Sequence, residues 1–191
     1  MTAFLEILLS ALAAVTLENV IFTSAIGTST LIECAKSPRQ LLSFGAFITE
    51  FSVLSSYIAY FAEGWLKSDT ARLFLPSVYI LCLGLVYVVT LLFIWFAARK
   101  WFYSLRKYVH LSAFNCAVLG CLFNNGNSDA MLGERLIYAT EIGLGFMLAT
   151  YLLAINYKKL SNEDVPASFR GFPISVLYIG IIAMIVYSLK M

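Results

Sequence analysis

The chain of 191 residues is 61% hydrophobic and only 13% charged, about half the charged share of a soluble domain, so it has too little polar surface to cover a water-exposed globule. Its formal net charge of +2 leaves no broad basic footprint for nucleic acid. The four cysteines (Cys34, Cys82, Cys116 and Cys121) lie in or beside apolar stretches and form no CxxC, which argues against an extracellular disulfide framework.

Taken in chain order, the apolar runs predict an all-α integral membrane protein. The first region, Ala3 to Ile32, is too long for one straight span and carries Glu18-Asn19 in its middle, followed by Thr23, Ser24, Gly27, Thr28, Ser29 and Thr30. The opening residues lack a charged n-region and a small-residue cleavage site, so Met1–Phe22 reads as a retained span rather than a removable signal peptide. Leu41–Ala62 and Leu73–Ala98 follow, each matching the roughly 20 helical residues that cross a hydrocarbon core. Pro38 precedes the first of these runs, and Pro76 falls in the opening turn of the second, where proline is tolerated. Lys67–Thr70 is the polar connection between them.

Tyr108–Phe123 is again irregular: it is short, contains Asn115-Cys116 and Gly120, and stops at Asn124-Asn125-Gly126-Asn127, a turn signal. Leu136–Ile155 and Phe172–Leu189 complete the series, joined by the polar stretch Lys158–Pro166. Trp65, Trp95, Trp101 and Tyr103 stand near run ends, as interfacial residues do.

This order predicts six transmembrane segments arranged as two inverted three-segment repeats, at about residues 1–100 and 101–191, with broken half-helices in segments 1 and 4. Irregular backbone at membrane depth needs cover from protein or a cavity, which makes the two broken segments the natural place for a site. Nine lysines and arginines fall on one side of six spans and four on the other, so the positive-inside rule puts both termini outside the cytoplasm.

Cys116 reads either as a buried thiol acting as a small hydrophobe or as an iron ligand at a helix break, and its type alone does not choose. Glu18, Glu50 and Glu141 are intramembrane carboxylates, each an ion-path candidate or a buried pairing. His110 is expected to be structural rather than a metal ligand, and Gly143 and Gly145 to mark close helix packing. Tyr57, Tyr60, Tyr79 and Tyr87 read as packing residues.

Asn115-Cys116-Ala117-Val118-Leu119-Gly120 and Asp164-Val165-Pro166-Ala167-Ser168-Phe169-Arg170-Gly171 resemble the A subunit of the Rnf electron-transport complex. Glu18-Asn19-Val20 and Gly27-Thr28-Ser29-Thr30-Leu31 are similar to stretches of a related family, the E subunit of the sodium-translocating NADH:quinone reductase. The resemblance covers essentially the whole chain. It implies a bacterial inner-membrane subunit of a complex that couples electron transfer between ferredoxin and NAD to movement of Na⁺ or H⁺, a relay element rather than a complete enzyme. It also implies pairing with a homologous, E-like subunit of opposite topology, together with the other Rnf subunits, and a [2Fe–2S] cluster held by two cysteines from each. Cys116 matches one family ligand, whereas Ser29 stands where the family's Gly-x-Cys motif has its cysteine. Serine oxygen is a harder, less acidic ligand, and Cys34 and Cys121 each lie five residues beyond, about 140° round a helix. The alternative expectation is a non-redox scaffold or small-solute carrier that kept the fold and lost the cluster.

Overall fold

The computed structural model describes residues 15–16, 19–36, 41–66, 73–97, 99–100, 102–127, 130–160, 162 and 165–190. Among these residues all regular structure is helical: α1 (Val20–Ser24), α2 (Thr28–Ala35), α3 (Leu41–Trp65), α4 (Leu75–Ala97), α5 (Phe102–Ala113), α6 (Cys116–Gly126), α7 (Leu132–Leu160) and α8 (Phe172–Lys190). Four of them, α3, α4, α7 and α8, are long and apolar enough to cross a membrane. Their exposed faces carry Leu81, Phe93, Phe96, Met184 and Tyr187, a distribution that only a lipid or protein environment accommodates. The expected first span, Met1–Phe22, falls mostly outside the described residues.

The chain forms two compact units. Ser43–Gly143 makes one unit. In it, α3 and α4 are an antiparallel pair: Tyr79 Oη donates to Glu63 Oε1 at 2.8 Å at one end, and Thr90 Oγ1 donates to Glu50 Oε1 at 3.0 Å further along. The helix α4 then runs antiparallel to α5 and α6 taken in succession. Tyr87 meets the rings of His110 and Phe114, and Tyr79 meets Phe123 at 5.7 Å. Phe44 against Tyr108 and Ser56 against Cys121 show that α3 runs parallel to the same pair. At 1.5 Å per residue α5 and α6 together extend about 34 Å, so laid end to end they reach across a core of roughly 30 Å.

The interruption between them has a local cause. Asn115 adopts an extended backbone (φ −81°, ψ 131°) and its Oδ1 accepts from Ala117 N at 3.0 Å, so the residue ends one helix and caps the next. The turn expected to begin at Asn124 begins three residues later: α6 continues to Gly126 because Asn125 is buried and donates to Ser56 Oγ at 3.1 Å and to Arg135 O at 3.3 Å. Gly126 itself faces the Tyr79 ring, which a Cβ would strike.

The second unit holds α1, α2, the part of α7 from Leu144 onward, and α8. Here too an asparagine sets the break. Asn19 Oδ1 accepts from Ile21 N at 3.0 Å and caps α1, while its Nδ2 donates to Gly145 O on α7 at 2.8 Å. Ala25, in the left-handed region at φ 55°, ends α1, and Gly27 at φ 85° starts α2. Asn156 Nδ2 donates to Tyr178 Oη at 2.7 Å, joining α7 to α8. Ile21, Phe22, Leu31, Ile32, Phe146, Ala149, Leu153 and Ile179 fill the interior of this unit.

Candidate functional site

Cys116 is the first residue of α6 and is exposed. The opening turn of a helix has backbone N–H groups without intrahelical partners and the positive end of the helix dipole, so an anion is favoured there. Ser29, the second residue of α2, occupies a comparable first-turn position and is also exposed. Cys116 and Ser29 belong to different compact units. In each unit, then, a helix that starts within the apolar sequence presents one small polar side chain outward.

The other cysteines do not share those faces. Both α2 and α6 are continuous helices, and Cys34 and Cys121 are buried within them, Cys121 against Ser56 Oγ at 3.8 Å. Neither stands beside the exposed residue five positions before it. Among the described residues no group of three or more His, Cys, Asp or Glu side chains converges as a metal site. An intersubunit iron–sulfur cluster needs only part of its ligands from one chain. At its own helix start Cys116 offers a thiol and Ser29 a hydroxyl oxygen, which is the poorer match for iron.

Of the three carboxylates, Glu18 lies outside the described residues. Glu50 is half-buried on α3 and held by Thr90; Glu141 is half-buried on α7. Gly143 and Gly145 are close-packing positions: a Cβ on Gly143 would collide with Thr49, and one on Gly145 would sit 3.0 Å from Asn19 Nδ2. His110 is tied to Tyr87 Oη and to Arg106 Nε.

Sequence reading passed over a polar seam on α3. Ser52, Ser55, Ser56, Ala59 and Glu63 follow the spacing of one helix face and all but Glu63 are buried. Ser56 meets Cys121 and Asn125 of α6, so Ser52, one turn earlier on a parallel helix, lies level with the start of α6. The hydroxyls of Ser52, Ser55 and Ser112 and the Nδ2 of Asn115 are fully buried without a hydrogen-bond partner among the described residues. At the far end of the seam Glu63 accepts from Tyr79 and from Arg135 Nη1 at 2.6 Å, and the Arg135 guanidinium lies 5.1 Å over the Tyr60 ring. This network borders a cavity of about 990 Å³ that also meets Phe123 and Asn127. The recoverable signal was a run of serines at i, i+3 and i+4 inside an apolar segment that ends in a carboxylate.

Long apolar helices, two interrupted ones, and polar groups clustered at an interruption define a polytopic helical membrane protein. A sequence model described as "Rnf-Nqr subunit, membrane protein" matches residues 7–191, and the chain belongs to that family. It is 28% identical over 181 residues, 94% of each chain, to the A subunit of the ion-translocating oxidoreductase complex of Tolumonas auensis. The A subunit of the same description from Vibrio vulnificus is 24% identical over 180 residues, again 94% of each chain. The A subunit of the Na(+)-translocating ferredoxin:NAD(+) oxidoreductase complex of Acetobacterium woodii is 24% identical over 174 residues, 91% of each chain.

Proposed function

We propose that this chain is the A-type membrane component of an ion-translocating electron-transport complex, working beside a homologous subunit of opposite topology in a bacterial inner membrane. Family membership supports the coarse role. The observation that carries the finer one is Cys116, exposed on the opening turn of α6 beside the capping residue Asn115. In this reading α5 and α6 form the fourth of six spans, Asn19 and Asn115 mark the corresponding breaks of two inverted repeats, and both termini lie outside the cytoplasm. Cys116 and Ser29 are this chain's ligands to a [2Fe–2S] cluster completed by the partner, and the bound cluster supplies one-electron relay between flavin or iron–sulfur subunits on the two membrane faces. Glu18, Glu50 and Glu141 are the carboxylates assigned to the path of Na⁺ or H⁺.

Iron analysis and electron paramagnetic resonance of the co-purified complex test the assignment. Cys116→Ala should abolish the cluster signal while the complex remains assembled, and Ser29→Cys should raise iron occupancy or change the spectrum, sulfur being the better ligand. A signal that survives Cys116→Ala removes Cys116 as ligand. Ser29 also favours a second reading, a scaffold or small-solute carrier that has lost the cluster, and absence of iron in every variant with the partner present selects it.

A further inference from the structure

A second polar site stands on α5, away from the helix break. Tyr103, Arg106, Lys107, His110 and Leu111 line an open surface depression of about 510 Å³. Their spacing of three and four residues places them on one helix face, and α5 carries no acidic side chain. Arg106 is held at its base. Arg106 Nε donates to His110 Nε2 at 3.1 Å, which makes that nitrogen the acceptor of a neutral ring and leaves the proton on Nδ1. Nδ1 then donates to Tyr87 Oη on α4, and the Tyr87 ring also packs on His110 and Phe114. The guanidinium of Arg106 is thereby anchored by its Nε while its terminal amino groups have no hydrogen-bond partner among the described residues. A planar fork with a fixed base and free prongs matches a phosphate.

We propose that this depression binds the headgroup phosphate of an anionic membrane lipid. Arg106 and Lys107 hold the phosphate, Tyr103 stands at the interface, and the acyl chain leaves along Leu111. The depression's position favours a lipid over a soluble phosphate. The face from Tyr103 to Leu111 runs about 12 Å along the helix axis, beginning at a helix end preceded by Arg99 and Lys100 and descending toward Val109, Leu111 and Ala113. A headgroup layer is roughly 6 Å deep on each side of the hydrocarbon core, so the cations lie at phosphate level and Leu111 at acyl level. Tyr87 acts as a positioning residue, holding Arg106 through His110 without itself lining the site.

The test is native mass spectrometry and lipid extraction of the intact membrane complex, reconstituted in phosphatidylcholine discs with and without phosphatidylglycerol. Phosphatidylglycerol should remain bound through washing in neutral detergent. Arg106→Gln and Lys107→Gln should each weaken retention about fivefold, the effect of one interfacial cation. Tyr87→Phe should weaken it with every charge intact, and Lys159→Gln, an exposed cation on α7, should leave it unchanged. Iron content should not follow these losses, which separates this site from the redox assignment. Equal retention of phosphatidylcholine, or wild-type retention by Arg106→Gln, overturns the proposal. Displacement of the lipid by millimolar inorganic phosphate alone overturns the lipid as occupant in favour of a soluble phosphate.

Discussion

Arg135 Nη1 lies 2.6 Å from Glu63 Oε2, a contact that joins the start of α7 to the end of α3. Tyr79 adds α4 by donating to the same carboxylate, and Asn125 adds α6 by donating to Arg135 O. Four helices thus converge on one ion pair, whose side chains are 8% and 17% exposed. Burial makes the pair asymmetric in its consequences: an orphaned partner costs more than the pair itself contributes. Arg135→Met should lower the stability of the complex by about 3 kcal/mol, and adding Glu63→Gln should restore part of that loss. Tyr79→Phe removes one hydrogen bond and should cost about 1 kcal/mol. Melting in detergent measures all three, and a double variant no better than Arg135→Met would show that the charge is not what destabilises.

Gly143 touches Thr49 so closely that a Cβ must displace Thr49 backbone as well as side chain. Gly143→Ala should therefore cost about 2 kcal/mol through overpacking. Gly84→Ala is the control, because no heavy atom lies within 4 Å of its Cβ position. There the better helix propensity of alanine should raise stability by up to about 1 kcal/mol. Equal melting temperatures for the two variants would refute the close contact.

Much of this architecture was readable from composition and run length, because a membrane helix must satisfy its backbone internally and so declares itself as an uninterrupted apolar segment. The runs containing α3, α4, α7 and α8 are each visible in that way, as are the close-packing glycines of α7. The breaks were visible as regions but not as residues. Asn19 and Asn115 each cap the helix that follows through a hydrogen bond from the second following amide, and nothing in an isolated asparagine distinguishes a cap from a turn. Asn124–Asn127 shows the reverse error. Asn125 looked like part of a turn, but contacts to Ser56 and Arg135 from elsewhere in the chain keep it helical. The Glu63–Arg135 pair was invisible because its partners are joined only by the packing of α3 against α7.

Ser52 and Ser56, one turn apart on α3, should respond oppositely to alanine. Ser56 Oγ accepts from Asn125 Nδ2 at 3.1 Å, so Ser56→Ala leaves a buried amide without that partner. A loss of about 1–2 kcal/mol is expected. Ser52 Oγ is buried with no partner among the described residues, so its removal relieves an unmet desolvation cost. Ser52→Ala should be neutral or stabilising by about 1 kcal/mol. Should Ser52→Ala instead reduce ion transport by the assembled complex without lowering its melting temperature, the hydroxyl serves the ion path rather than the fold.

Ala25 occupies φ 55°, the only positive-φ non-glycine among the described residues. The left-handed conformation costs an L-residue roughly 1–2 kcal/mol. Ala25→Gly removes that strain and gives back part of it as unfolded-chain entropy. A net gain of about 0.5 kcal/mol is the expected result, read as a small rise in melting temperature. Ala25→Val should lower it, since a β-branched side chain tolerates this region worst.

Asn19 and Asn115 supply the last comparison, since each caps a helix with Oδ1 but only one has work for its other amide atom. Asn19 Nδ2 donates to Gly145 O at 2.8 Å, whereas Asn115 Nδ2 is buried without a partner among the described residues. Asn19→Ala loses a cap worth about 1 kcal/mol and leaves a buried carbonyl of α7 short of a donor, at a further cost of about 1–2 kcal/mol. Asn115→Ala loses a cap of the same kind but also removes an unsatisfied donor, so its net cost should be smaller. Serine separates the two contributions. Ser is an equally good cap but has no amide N–H. Asn115→Ser should therefore equal or exceed wild-type stability, while Asn19→Ser should still lose the link to Gly145. Should Asn115→Ser keep its stability yet lose iron from the complex, the Nδ2 group acts on whatever Cys116 holds rather than on the helix it caps.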